Sequence, residues 1–207
     1  MTMSPTMPVR RTQEDRRAES DRRLINSAIR LIARNGSAGT TLAEIGVAAG
    51  YSRGLPSERF GSKQALLESL VDRVEQAFQD QVVIDVGDRT GLEAVEARIH
   101  AHLNGALKGA SGVRSLYLLY MESLTVAPQL HGRIAELSRG YREAFARHLR
   151  EGQQAGEIRG DLDPDHQAMV ILGAVRGLIT QWLIEPKAID LAAARTALTT
   201  MVRRSLT

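Results

Sequence analysis

From Leu24 to Met201 the apolar residues of this chain recur three and four positions apart, and no strand-like alternation interrupts them. Only helices bury an apolar face with that period, so an all-α fold is expected, with about nine helices in total. Leu, Ala, Ile and Val dominate the apolar 43%, and aromatics make up only 4%. That supply suits helices better than a β-sandwich. At 207 residues there is room for one large domain or two small ones.

Residues 1–19 are rich in Pro, Thr, Ser and Arg without periodicity, and read as a disordered basic arm. Leu24, Ala28, Leu31 and Ile32 stripe a first helix that Gly36 terminates. Thr41-Leu42-Ala43-Glu44 is a capping box, in which the threonine hydroxyl accepts from the third amide and the glutamate reaches back. The helix it opens runs through Ile45 to Gly50. After Tyr51, the hydroxyl of Ser52 is placed to cap a short helix to about Arg59. A longer helix starts near Lys63 and carries Leu66, Leu67, Leu70, Val71, Val74, Ala77 and Phe78. The expected division is 20–66 for a three-helix head, 67–85 for a connecting helix and 86–207 for a second helical domain. In that last part, stripes beginning at Leu92, Val113, Leu130, Pro164 and Leu191 mark further helices.

Charge is unevenly placed. Residues 1–63 hold eleven Lys and Arg against six Asp and Glu, and the remainder sixteen against eighteen, within a net charge of +3. A basic first third points to a polyanionic partner for that part alone. The absence of cysteine excludes disulfides and thiolate metal sites and fits a reducing cytosol. The first 23 residues carry many charges and no apolar central run, and do not resemble a signal peptide. Ala168 to Ile184 is the most apolar stretch, but it holds Arg176, Gln181 and Trp182 and reads as a buried helix, so no membrane partner is expected. No nucleophile elbow, Gly-rich phosphate loop or His-Glu metal motif is present, and the five histidines lack ligand-like spacing. Neither an enzyme nor a metal or other cofactor is expected.

Gly50-Tyr51-Ser52 between two short helices is a helix-turn-helix signal. One helix must cross the phosphate backbone while the next enters the major groove, so the turn must be tight. Gly50 supplies backbone freedom. Ala48 and Ala49 allow close approach, and Ile45 and Leu55 provide a small core. Helical hairpins that never touch DNA share this spacing.

From Arg23 to Leu67 the chain closely resembles the DNA-binding domain of the TetR family. The matching residues are Gly36, Thr40-Thr41, Ile45, Ala49-Gly50-Tyr51-Ser52-Arg53-Gly54, Phe60-Gly61-Ser62-Lys63 and Ala65-Leu66-Leu67. They fix side chains in three helices and both turns together. Gly173 to Leu178, with Gln181-Trp182-Leu183, is similar to the penultimate helix of many members. The resemblance implies a transcriptional regulator, a repressor more than an activator. It would bind an inverted repeat in double-stranded DNA as a homodimer and leave it when a small, largely apolar effector binds. Thr40 and Thr41 would meet phosphate through hydroxyls and helix N-terminal amides. Ser52, Arg53, Gly54 and Leu55 would open the recognition helix, with Arg53 suited to guanine O6 and N7. Lys63 would clamp a phosphate, and Arg10, Arg11, Arg16 and Arg17 would add groove or backbone contacts. Arg22 and Arg23 are expected to face solvent, and Glu58 and Arg59 to form a solvated pair, with a reading or positioning role as the alternative.

The chain departs from the family at Pro56 and Ser57, where most members have an apolar residue and a phosphate-contacting tyrosine. Counted from Ser52 as the cap, Pro56 forfeits the first helical bond and crowds the Ser52 carbonyl, so the helix is expected to start later or be distorted. Ser57 reaches less far toward phosphate. The alternative is a helical small-molecule binding protein with a degenerate helix-turn-helix, separated from the main reading by salt-dependent duplex binding.

The family places a ligand cavity in the C-terminal helices and the dimer interface on the last two. The helix over 165–184 is apolar nearly all round and needs cover on several sides. Gly173 and Gly177 form a smooth strip, and with Leu178, Leu198 and Met201 they are expected in a four-helix bundle between two subunits. The strip can instead pack within a monomer. His102, on an apolar helix face, and Tyr117, Tyr120 and Met121, on a helix too apolar to be exposed, are the candidate ligand residues. Ordinary core packing is the alternative for each.

Overall fold

The computed structural model describes residues 12–207, and among them all regular structure is helical. The order is α1 (Gln13–Asn35), α2 (Leu42–Ala48), α3 (Leu55–Phe60), α4 (Lys63–Val86), α5 (Gly91–Lys108), α6 (Ala110–Glu122), a 3-10 turn (Pro128–Leu130), α7 (His131–Gln154), α8 (Pro164–Ile184) and α9 (Leu191–Leu206).

Helix α1 starts before its apolar stripe. The Thr12 hydroxyl accepts from the Asp15 amide at 3.1 Å, and the Asp15 carboxylate accepts from the Thr12 amide at 2.9 Å. This capping box carries the helix through residues 13–19 and corrects the expectation of a disordered arm to residue 19. A reading based on apolar periodicity misses such a turn because its residues are exposed and polar. Residues 1–11 of the expected arm, with Arg10 and Arg11, lie outside the described residues.

Helix α4 joins the head to the rest as one unbroken rod. Its Leu66, Leu67, Leu70 and Val71 are fully buried in a core shared with Leu24, Ile32 and Ile45, while Val82 and Val86 cluster with Ala94 and Ala101 of α5. Helix α5 packs against α4, α7, α8 and α9, and the apolar core continues through Leu103, Leu119, Phe145 and Val175 to Leu206. Truncating one such buried leucine to alanine removes about 2–5 kcal/mol. Across the domain border, Arg133 of α7 pairs with Asp72 and Glu75 of α4.

Helix α8 opens as read from the sequence, with Pro164 at its first position and the Asp163 carboxylate accepting from the amides of Asp165 and His166 at 2.9 Å. Within the single chain its burial is one-sided. Ala168, Ile171, Leu172, Val175 and Ile179 are buried where α8 meets α7 and α9, but Met169, Val170 and Ile184 on the other side are exposed. By length and composition α8 could cross a membrane, yet its inner face is a wall of the core. On α9, Leu191, Leu198, Val202 and Leu206 are buried within the chain. Leu198 is therefore a core residue of the single chain, which corrects its assignment to the subunit interface.

Candidate DNA-reading head and ligand cavity

The turn between α2 and α3 is built by glycine at two positions for two reasons. Gly50 has φ +81°, a left-handed conformation that other residues adopt only with strain. The amide of Tyr51 donates to the Gly46 carbonyl at 2.9 Å and that of Gly50 to the Val47 carbonyl at 3.0 Å, a Schellman closure. Gly46 is needed for space: a Cβ there would lie 2.4 Å from the Ser52 carbonyl oxygen and 3.1 Å from Pro56 Cδ. The close approach belongs to Gly46 and the buried Ala49, whereas Ala48 is exposed, contrary to its expected role.

Pro56 fits this arrangement. The helix cap is Gly54, not Ser52, so Pro56 stands at the second helical position, where its missing N–H has no helical acceptor to satisfy. The first helical bond runs from the Glu58 amide to the Gly54 carbonyl at 3.1 Å. Pro56 is buried against Gly46. The late start anticipated for this helix is thus present, and the expected Ser52 cap is corrected. Ser52, Arg53 and Gly54 occupy the exposed turn ahead of α3, and Ser57 and Glu58 lie exposed on its first turn.

Two contacts orient the head. Arg59 donates to both carboxylate oxygens of Asp21 on α1, at 2.7 and 2.6 Å, and to the Arg17 carbonyl at 3.1 Å. Glu58 and Arg59 are therefore not a solvated pair, and Arg59 staples α3 to α1. Arg23 lies over the Tyr51 ring, 5.4 Å from its centre.

The capping box of α2 is formed as read: the Thr41 hydroxyl accepts from the Glu44 amide at 3.2 Å, and the Glu44 carboxylate accepts from the Thr41 amide at 2.8 Å. That amide bond, followed by one from the Thr41 hydroxyl, holds the Glu44 carboxyl below its usual pKa. Thr40 is different. It is 1% exposed and its hydroxyl donates to the Gly36 carbonyl at 2.9 Å, so it is not available to phosphate, a correction. Lys63 opens α4 as expected, but its ammonium already donates to the Ser37 carbonyl at 2.5 Å.

Two cavities of about 650 and 610 Å³ flank a partition made by Tyr117, Tyr120 and Arg176. The first is lined from both sides of the domain border, by Asn26 and Ile29 of α1 together with Phe78, His102, Tyr141 and Ile179. Arg176 lies 4.9 Å over the Tyr120 ring and donates to the Ser138 hydroxyl at 3.0 Å. Phe78, Tyr141 and Phe145 surround the His102 ring, with centroids 4.4, 5.3 and 5.7 Å away. Burial, with smaller help from the charges of Arg98 and Arg176, pulls the His102 pKa down to about 3. The imidazole is neutral, and its Nε2 is sealed from solvent without a hydrogen-bond partner among the described residues. Burial also raises the pKa of Tyr117, Tyr120 and Tyr141, which keeps their hydroxyls protonated. Met121 borders only the second cavity and is 66% exposed, so its helix is less enclosed than its composition implies.

Residues 24–70 match the family model described as bacterial regulatory proteins of the tetR family, and residues 114–207 match the C-terminal domain of BetI-type transcriptional repressors. The chain belongs to the TetR family. It is 27% identical over 201 residues to the HTH-type transcriptional regulator TtgR of Pseudomonas putida, covering 88% of this chain and 89% of that protein. A TetR transcriptional regulator from Chloroflexus aurantiacus superposes with a TM-score of 0.80 at 23% identity, covering 90% of this chain and 96% of that one. A putative transcriptional regulator from Saccharomonospora viridis, solved in complex with choline, gives 0.78 at 21% identity, covering 91% and 98%.

In this TetR-family regulator the structure groups the sequence-derived candidates as follows. Ser52, Arg53 and Gly54 are exposed in the turn and Ser57 on the first turn of α3, with Leu55 half-buried between them in sequence. His102, Tyr117 and Tyr120 share the first cavity. Gly173 is exposed, Gly177 and Leu178 are partly so, and a Cβ at either glycine would meet nothing within 4 Å. Met201 on α9 is 58% exposed. Four residues make contacts that the sequence reading does not anticipate: Gly46 with Pro56, Arg59 with Asp21, Glu122 with the Ser37 amide, and Arg176 with Ser138 and the Tyr120 ring. A glycine inside a short helix and an arginine inside an apolar one were the available signals for the first and last. The partners of Arg59 and Glu122 are too distant in sequence to leave any.

Proposed function

We propose that this regulator is a homodimeric repressor that grips an inverted-repeat operator through the turn before α3 and releases it when a small molecule fills the cavity beneath the head. The observation that carries this reading is the shared lining of the first cavity. Asn26 and Ile29 belong to α1, which carries the head, whereas Phe78, His102 and Tyr117 belong to the helices below. A ligand there touches both parts, which is the differential contact that coupling between two sites requires. The exposed run Ser52-Arg53-Gly54 with Ser57 supplies the reading edge, and Thr41 with Lys63 the neighbouring backbone contacts. The open apolar faces of α8 and α9, with Met169, Val170, Gly173, Gly177, Ile184 and Met201, supply the surface for a two-fold partner. Its place of action is the cytoplasm, where the operator is. Pro56 forfeits no helical bond at the second position of α3, which supports a working head over a degenerate one.

Selection of duplexes from a random library by the purified protein tests this reading. An inverted repeat should emerge, with half-sites about one helical turn apart or somewhat more. Recovery of no preferred sequence would overturn it.

A further inference from the structure

The charge of the cavity walls bears on which molecules they accept, on the reading above that these cavities hold the effector. Neither cavity has an Asp or Glu among its lining residues. Cations line both: Arg73 and Lys108 border the first, Arg114 the second, and Arg176 stands between them. None of these four has an acidic partner among the described residues, although Arg133, Arg150 and Arg159 each have one. Arg176 is only partly exposed, and its guanidinium is held by the Ser138 hydroxyl and the Tyr120 ring, both uncharged. A half-buried cation without a counter-charge favours an anion in its vicinity.

The aromatic walls alone suggest another occupant. Tyr117, Tyr120, Tyr141 and Phe78 resemble the rings that enclose quaternary ammonium groups. Here Arg176 already covers the Tyr120 face, so the protein supplies its own cation at the place a ligand cation would take. His102 adds no charge, being neutral across the physiological range. A second cation would meet repulsion from Arg176, and Glu75, the carboxylate whose charge reaches Tyr120 and Tyr141, lines neither cavity and is already paired with Arg133.

We infer that the effector is an anionic amphiphile, with a carboxylate or phosphate monoester head at Arg176 and an apolar tail along the aromatic wall. Arg176 fixes the head through charge and its remaining N–H donors. The tail lies against Phe78, Tyr141 and Ile179.

Titration calorimetry on the full chain with four probes of equal tail length, each below its micelle concentration, tests this. Dodecanoate or dodecyl phosphate should bind at least tenfold more tightly than dodecyltrimethylammonium, with dodecanol between them. Their relative affinities distinguish the two anionic heads. Arg176→Gln should erase the preference for dodecanoate over dodecanol, and Arg176→Lys should keep most of it. The inference is overturned if the ammonium probe equals or exceeds both anions, if no probe binds, or if Arg176→Gln leaves the ratio unchanged. The wild-type ranking alone decides between anion and cation should the glutamine variant not fold. Duplex binding, measured separately without ligand, tests the repressor reading: its failure would leave the ranking intact, and an ammonium preference would leave repression intact.

Discussion

The amide of Ser37, in the turn between α1 and α2, donates to both carboxylate oxygens of Glu122, the last residue of α6, at 3.0 and 3.2 Å. The carbonyl of the same residue accepts from Lys63 at 2.5 Å. Ser37 is thus held on one side by the head's own fourth helix and on the other by a helix that walls both cavities. Replacing Glu122 with alanine should cost about 1–3 kcal/mol, since it strands a part-buried amide that had a charged acceptor. Hydrogen exchange at Ser37 should accelerate in parallel, and Glu122→Gln should show a smaller change. Unaltered exchange in the alanine variant would show that this tie carries no strain between the domains.

Gly46→Ala should damage DNA binding. The new Cβ would sit 2.4 Å from a backbone oxygen of the turn, which cannot swing aside as a flexible side chain can. The expected cost is about 1–3 kcal/mol in a urea melt, with a loss of operator affinity because α3 must shift to make room. An unchanged operator Kd would mean that the turn tolerates the shift.

Much of the head was legible because its determinants are local. The Thr41–Glu44 capping box spans one turn, and the positive φ of Gly50 follows from the need to end one helix and begin another within a few residues. The start of α1 was missed because Thr12 and Asp15 lie outside any apolar stripe. The Ser52 cap was misplaced because a serine before a short helix is a sound local signal, and only the packing of Pro56 on Gly46 moves the start to Leu55. Arg59 pairs with Asp21 across 38 positions and Ser37 with Glu122 across 85, and no spacing rule reaches so far. Leu198 shows the converse limit, since periodicity marks a buried face without saying what buries it.

Gly177→Arg should separate the fold from the assembly. Outside its own stretch of helix nothing lies within 4 Å of a Cβ built at this partly exposed position, so a side chain can start there without a clash inside the chain. Helix α8 should gain up to about 1 kcal/mol from losing a helical glycine. In the dimer the same arginine would enter a close helix–helix contact. Light scattering should show the wild type as a dimer and the variant as a folded monomer. A dimeric variant would place the interface elsewhere.

Acid should destabilise the protein through His102. The free imidazole titrates near 6.5, whereas the buried ring stays neutral down to about 3. Protons are then taken up on unfolding, so stability falls as the pH drops below about 6.5, by up to ~1.4 kcal/mol per pH unit. His100 and His148, whose pKa values burial also lowers, add to the same trend. Replacing His102 with phenylalanine, a neutral ring among Phe78, Tyr141 and Phe145, should flatten the dependence between pH 6.5 and 5. Equal urea-midpoint shifts with pH in wild type and variant would assign the acid sensitivity to other groups.

The central claim is that Arg53 reads bases from an exposed turn, and it is tested by measuring operator and scrambled-duplex affinity of wild type and Arg53→Ala at several salt concentrations. Arg53 is exposed and makes no hydrogen bond or ion pair among the described residues, so its loss should leave the fold unchanged. Wild-type affinity should fall linearly on a log–log salt plot and favour the operator. Arg53→Ala should cost about 1–3 kcal/mol on the operator and relax preference at one base pair per half-site, while scrambled DNA is held nearly as before. Equal weakening on both duplexes would make Arg53 a phosphate contact, and an absence of salt dependence in the wild type would contradict DNA binding altogether.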